Sequence, residues 1–451
     1  MAGGLMQLVA YGAQDVYLTG QPKVTFFQAV YKRHTNFAME NIQQTVNGTP
    51  SNSGRVSVTI ARNGDLVGNM YVALIPNPTT MLLTSNNTGG YDMCWVAERA
   101  VAAVELTIGG QRIDKHYQNW FRLYAEVFLG ESDKINYGKL TTGASAVADT
   151  STNKTYVYLP LLFFFNRNPG LYLPLIALQY HEVRLDFDLT ATFSNYFGSS
   201  SPVFEVWANY VYLDTEERRR FAQKGHEYLI EQVQHTGGDS LGAATQQTVR
   251  LSFNHPVKEL IWCYQNANQT NTANLNGMWN FSTGCANVNV TCNTTPAVMG
   301  SVLPHLVGAP HLYSNIGGYA GQAVTSNIFW IEEGSVNTTA GTCVEVGPMR
   351  DFKLILNGQD RFKEQVGKYF NQYQPYVYHS GTPYPGIYVY SFALQPEEHQ
   401  PTGTCNFSRI DNAQVFFNLK NSTTNMLQKM FAVNYNILRI QSGMGGLAFS
   451  N

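Results

Sequence analysis

Apolar and polar residues alternate with a period of two along much of the chain. Val56, Val58 and Ile60 alternate with Arg55, Ser57 and Thr59; Val104, Leu106 and Ile108 with Glu105 and Thr107; Leu185, Phe187 and Leu189 with Arg184, Asp186 and Asp188. Such alternation predicts strands with one buried face. It returns at Val249, Leu251 and Phe253, at Phe352, Leu354 and Leu356, and over Ile387 to Leu394, where Tyr388, Tyr390 and Phe392 share a face. Turn signals at Asn63-Gly64, Gly109-Gly110 and Asn357-Gly358 join such segments, so the chain reads as mainly antiparallel β. Two segments break the pattern. Trp120, Leu123, Tyr124, Val127 and Phe128 form an apolar stripe at helical spacing that stops at Gly130. A second helix is expected to open at Asp214, with Glu217 three residues on, and to run through Arg218, Arg219 and Arg220. Its charges cancel locally, which suits a solvated linker; a docking patch for an acidic neighbour is the alternative.

The two halves echo one another. Leu106 to Arg112 resembles Leu354 to Arg361, each a strand entering a glycine turn; Ala177-Leu178-Gln179 echoes Ala393-Leu394-Gln395; Phe204, Val206, Asn209 and Tyr210 echo Phe431, Val433, Asn434 and Tyr435. A strand precedes each series, Met70 to Ile75 and Lys258 to Tyr264. Preserved order implies one β module used twice, with the boundary near residue 215. The copies differ in one place. Val72 and Leu106 are 34 residues apart but Leu260 and Leu354 are 94 apart, so the second copy carries about 60 extra residues. From Leu260 to Ile331 there is no Asp, Glu, Lys or Arg, and most of this run is expected to be an exposed loop whose amides are satisfied by water, backbone or a neighbouring chain. Asn-x-Ser/Thr triplets at Asn268, Asn280, Asn289, Asn293 and Asn337 make these the candidate glycosylation sites.

Composition narrows the function classes. Only 13% of the 451 residues are charged and the formal net charge is −2, so no basic field exists for direct binding to nucleic acid. No apolar run approaches the ~18 residues of a membrane span. No basic residue precedes the apolar part of the first twenty, so no secretory signal is expected, and Ala2 excludes the myristoylation pattern. The six cysteines, Cys94, Cys263, Cys285, Cys292, Cys343 and Cys405, contain no C-x-x-C pair and are expected to be free thiols, Cys285 and Cys292 being the candidate exception.

Five sequence blocks carry a family likeness. Val16 to Phe37 (VYLTGQPKVTFFQAVYKRHTNF) resembles the N-terminal signature of the major capsid proteins of large nucleocytoplasmic double-stranded DNA viruses, especially those of algae. Asn168 to Arg184, Ala208 to Glu231, Gly386 to Asn412 and Asn434 to Phe449 resemble further blocks of the same family. The resemblance implies two tandem eight-stranded antiparallel jelly rolls with short helices between strands, and three chains per six-sided capsomer in an icosahedral virion shell. It implies as partners the two other chains of the homotrimer, neighbouring capsomers, minor capsid proteins beneath the shell and vertex proteins, with an inner membrane nearby and assembly in the host cytoplasm. The expected division is an arm over 1–24, a first jelly roll over 25–214, a linker helix region over 215–235, and a second jelly roll over 236–451 with an exposed loop at about 265–345. Residues 131–155 and 265–347 depart from the familiar blocks.

The residues support that role independently. Jelly-roll loops gather at the sandwich ends, so a long insertion leaves the core intact, and low charge suits wide contacts between subunits. The glycine-rich start and Gly443 to Gly446 read as tails reaching a neighbour or the layer beneath. No catalytic, cofactor or metal site is expected. Glu397, Glu398 and His399 fall between prolines and read as a turn. Asp186 and Asp188 share a strand face with Arg184 and read as an ion-paired patch. His181-Glu182 lacks the second histidine of a zinc helix, and His34 beside Lys32 and Arg33 reads as a surface cluster with an anion contact as its alternative. A carbohydrate-binding or carbohydrate-cleaving β-sandwich remains the second hypothesis.

Overall fold

The computed structural model describes residues 3–76, 95–141, 156–198, 202–242, 244–266, 281, 336–337, 342–343, 348–381, 383, 386–420 and 426–449. Residues Met1–Phe37 and Ala38–Asn451 are separate compact units. The first holds short helices at Gly3–Val9 and Val16–Thr19, and its Phe26, Phe27 and Tyr31 are exposed, as are Lys32, Arg33 and His34.

Among the described residues eight principal strands follow in order: β1 Phe37–Gln44, β2 Arg55–Thr59, β3 Leu66–Leu74, β4 Val101–Ile108, β5 Gln111–Tyr117, β6 Val157–Pro160, β7 Val183–Leu189 and β8 Phe204–Leu213, with two-residue strands Val46–Asn47 and Leu173–Pro174 paired beside them. They build one sheet in the order β1-β8-β3-β6 and another in the order β2-β7-β4-β5. A second series then runs β9 His226–Ser240, β10 Gln246–Leu251, β11 Pro256–Asn266, β12 Met349–Leu356, β13 Gln359–Asp360, β14 Ile387–Ser391, β15 Ala413–Leu419 and β16 Met426–Gln441. Its sheets are β9-β16-β11-β14 and β10-β15-β12-β13. Adding eight to each label of the first series reproduces the second. This is the jelly-roll order, written twice, and it confirms the expected fold class.

The alternation read from sequence explains the cores. Val56 and Val58 of β2, Leu106 of β4 and Phe187 of β7 are buried within the first sandwich, while Ser57 and Arg184 look outward. Phe352, Leu354, Val415 and Phe417 do the same in the second. The glycine turns are present: Gly109 and Gly110 between β4 and β5, and Asn357 and Gly358 between β12 and β13, all take positive φ, which a Cβ disfavours.

The repeat holds for strands but not for every quoted residue. Phe204 of β8 faces its own sandwich, edge-on to Phe187 at 5.4 Å between ring centroids, whereas Phe431 of β16 faces the other way, against Trp120. The two segments differ by one residue in register, and in a strand one residue reverses the face. Ala177 to Gln179 and Ala393 to Gln395 also diverge, since Leu178 is buried and Leu394 is 75% exposed.

Both expected helices form. α1 spans Gln118–Phe128, with Trp120, Leu123 and Val127 buried. α2 spans Thr215–Gln223, buries nothing, and has Asp214 at its N-cap without a side-chain capping bond; Arg218 instead pairs with Asp65 at 3.0 Å. Strand β9 begins three residues later. A π-helical turn at Tyr369–Tyr373 leads into α3, Gln374–Tyr378, which occupies the place in the second sandwich that α1 has in the first. Leu260 to Gln265, the start of the charge-free run, is buried strand. Asn268, Asn280, Asn289, Asn293, Cys94, Cys285 and Cys292 lie outside the described residues, and Asn337 lies in the short strand Val336–Asn337, paired with Thr342–Cys343. Cys263 and Cys405 are free thiols, and burial pushes Cys263 up to about 12.

Candidate assembly junction

The centre of the β9-β16-β11-β14 sheet is apolar on both faces, and the parity of each strand shows why. Leu260, Trp262 and Tyr264 of β11, Tyr388 and Tyr390 of β14, and Met430 and Ala432 of β16 fill the second sandwich. The intervening Ile261, Cys263, Ile387, Val389, Phe431 and Val433 join the core of the first. A half-buried sheet would carry polar residues there; this one is covered. Helix α1 covers part of it, with Trp120 at 5.6 Å from Phe431 between ring centroids and Asn119 donating to Gln265 at 3.1 Å. Gly381 sits against the last carbonyls of α1, where a Cβ would come within 2.4 Å of Val127 O.

Two buried charge clusters secure the same boundary. Glu231 of β9 pairs with Lys258 of β11 at 2.6 Å and with Arg167 of the first sandwich at 2.9 Å. Burial would raise the Glu231 carboxyl, but the two cations outweigh it and hold the group below its ordinary value. Lys258 also donates to Pro396 O at 2.6 Å. Nearby, the His379 imidazole is wholly buried between Glu259 at 3.1 Å and Glu397 at 3.4 Å, contacts that are ionic rather than aligned hydrogen bonds. Burial alone would depress this histidine; the Glu259 and Glu397 charges reverse that and raise it to about 9. The adjoining Ser380 hydroxyl donates to the Phe128 carbonyl at the end of α1, 3.1 Å away. Between the clusters lies a crevice of about 370 Å³ walled by Tyr124, Phe128, Phe164, Arg167, Glu397 and His399.

Edge strands and a strap complete the boundary. Gln232 donates to Ile113 O, and the Val233 N–H donates to Asp114 at 3.1 Å, aligning β9 with β5. The chain end folds back on β16 as β17, Met444–Leu447, and reaches the first sandwich. Tyr180 N–H donates to Gly443 O at 3.0 Å, Gly445 N–H to His181 Nδ1 at 3.1 Å, and Leu447 N–H to Gln111 at 3.1 Å. This corrects the reading of Gly443 to Gly446 as a tail reaching a neighbour or the layer beneath, since it is bonded to its own chain. Gly443 has φ +79° and a Cβ there would meet Tyr180 at 2.5 Å, so these glycines permit a close backbone approach.

The residues considered for chemistry are placed apart. Glu397 and His399 lie in a turn, the first held by His379 and Ser380, the second at the crevice edge. Asp186 accepts from Ser57 at 2.5 Å and from Arg184 at 2.7 Å, and pairs with Arg55 at 3.2 Å; this is the ion-paired patch expected. His181 serves the strap. Among the described residues no group of three His, Cys, Asp or Glu could hold a metal ion, and no helix is long and apolar enough to cross a membrane.

Comparison with known proteins follows the same division. A family model described as "Major capsid protein N-terminus" matches residues 25–214, and one described as "Large eukaryotic DNA virus major capsid protein" matches residues 217–446. The chain belongs to the major capsid proteins of large eukaryotic DNA viruses. It is 43% identical to the major capsid protein of Paramecium bursaria Chlorella virus 1 and 39% identical to that of Phaeocystis pouchetii virus, each over the full length of both chains. The chain in the quasi-atomic model of the PBCV-1 virus capsid superimposes with a TM-score of 0.71 at 38% identity, covering 95% of this chain and 100% of that one. Capsid proteins of this family are structural and not enzymes, and their place is the virion shell.

Proposed function

We propose that three copies of this chain close into a pseudo-hexagonal capsomer and that such capsomers tile an icosahedral virion shell. The supporting observation is the doubled strand order, with the outward face of the second sandwich's β9-β16-β11-β14 sheet buried in the core of the first. Two similar wedges held rigidly in one chain give six around a threefold axis, and six tile a plane. In this reading the chain divides into an arm, a first sandwich, a linker and a second sandwich, with the arm and the inner ends meeting minor capsid proteins near an inner membrane. Vertex proteins close the shell, which assembles in the host cytoplasm. The 265–345 segment faces outward and carries sugar on one or more of Asn268, Asn280, Asn289, Asn293 and Asn337. A native mass measurement tests the central part: a stable species at three times 50.3 kDa is expected, and a folded monomer at micromolar concentration contradicts it.

A further inference from the structure

Charge is divided unevenly between the two compact units. In Met1–Phe37, Lys23, Lys32 and Arg33 stand against Asp15 alone, a net of +2 with His34 beside them, whereas the remaining residues sum to −4. From Val16 to Phe37 there is no acidic residue at all. The same unit is rich in exposed apolar side chains: Tyr17 and Leu18 precede Phe26 at 90%, Phe27 at 99%, Val30 at 82% and Tyr31 at 89% exposure, and none of these belongs to either sandwich core. The two kinds of residue interleave. Lys23 precedes Phe26-Phe27, and Val30-Tyr31 runs directly into Lys32-Arg33-His34.

That combination selects among partners. A protein groove commonly reads a helix face or a strand edge, and residues 21–36 present neither. An anionic lipid surface requires no fixed backbone: rings and aliphatic side chains enter the boundary between headgroups and acyl chains, while lysine and arginine stay with the anionic headgroups. The negatively charged remainder of the chain is repelled by such a surface, so the attraction is confined to the arm.

We propose that the arm binds an anionic lipid bilayer surface, with Phe26, Phe27 and Tyr31 inserted and Lys23, Lys32 and Arg33 on the headgroups. The assignment rests on the shell reading above, in which an inner membrane lies nearby, and adds that this chain touches the lipid itself. A single arm is a weak anchor, because each basic residue near an anionic surface strengthens binding only about fivefold. Three arms on one trimer engage the same surface together and multiply the effect.

The test floats the purified full-length chain with vesicles of phosphatidylcholine alone or of phosphatidylcholine mixed with phosphatidylserine, and measures the mass of the same sample by light scattering. The chain is expected to float with the mixed vesicles and not with the neutral ones, and to be released as salt is raised. Lys32→Gln combined with Arg33→Gln should weaken binding about 25-fold per arm. Phe26→Ser combined with Phe27→Ser should lose binding at every salt concentration. Both variants should keep the wild-type circular dichroism, since the four positions lie outside the two cores. Arg219→Ala, a change at a 60% exposed arginine outside the arm, should bind as the wild type does. A trimer that does not float with the mixed vesicles, that floats equally with neutral ones, or whose arm variants float like the wild type would overturn the lipid assignment and leave the arm to a protein layer, with the trimer reading intact. A monomer that floats with the expected charge dependence would overturn the trimer reading and uphold the lipid assignment.

Discussion

The outward faces of the two β1-type sheets differ although their strand order is the same. In the second sandwich that face is mostly aliphatic and sealed, with Ile261, Ile387, Val389 and Val433 buried in the core of the first sandwich and flanked by paired charges. In the first it is tyrosine and tryptophan, half exposed, with an Asn41-to-Tyr71 hydrogen bond of 2.8 Å at its margin. A permanent contact within a chain selects residues that are never wet. A face that stays partly wet suits rings with a polar end.

That contrast can be broken most severely at the buried charges. Lys258→Met leaves Glu231 with Arg167 alone in a buried site, and removing one member of a buried pair costs about 3–5 kcal/mol. Chemical denaturation should show that loss, together with decoupling of the two sandwiches into separate transitions.

A second effect is tied to pH. His379 is raised from 6.5 to about 9, so its protonated form stabilises the fold fully below pH 6.5, and that contribution is lost as pH rises through 9. The shift corresponds to stability on the order of 3 kcal/mol. Beyond Glu259 and Glu397, the charged and titratable groups around this boundary are Glu231, Lys258, Arg167, His399 and Tyr435. Unfolding midpoints measured from pH 6 to 10 should fall most steeply between 6.5 and 9 in the wild type. In His379→Gln that slope should flatten.

Smaller again is the strap. Gly443→Ala forces a Cβ into a positive-φ position against Tyr180, at about 1–3 kcal/mol, and proteolysis of the chain end should accelerate. Least affected is the solvated α2: Arg219→Ala removes a 3.6 Å pair between exposed side chains and should leave the melting temperature unchanged within error.

Much of this architecture is legible in the sequence because strands with one wet face advertise their parity. β2, β4, β7 and β12 were readable in this way, as was the stripe of α1. The junction was less so. In β11 and β14 both faces are apolar, and an unbroken run such as Leu260-Ile261-Trp262-Cys263-Tyr264 says that a strand is doubly covered without saying by what. The register of the internal repeat suffered for the same reason, since Phe204 and Phe431 look alike but face opposite sides. The charge clusters left no local signature: Arg167, Glu231 and Lys258 are far apart in the chain, and Glu397 looked like part of a turn because its partner His379 lies 18 residues earlier. Gly443 to Gly446 reads as an extended tail reaching a neighbour, whereas Gly443 and Gly445 let the strap lie against Tyr180 and Leu178 of the same chain.

A density map of the purified capsomer, detailed enough to follow the backbone, tests the central claim most directly. Six upright sandwiches around a threefold axis are expected, with the β9-β16-β11-β14 sheet of each chain sealed against its own first sandwich. Sandwiches swung apart within a chain, or that sheet open to solvent, would contradict it.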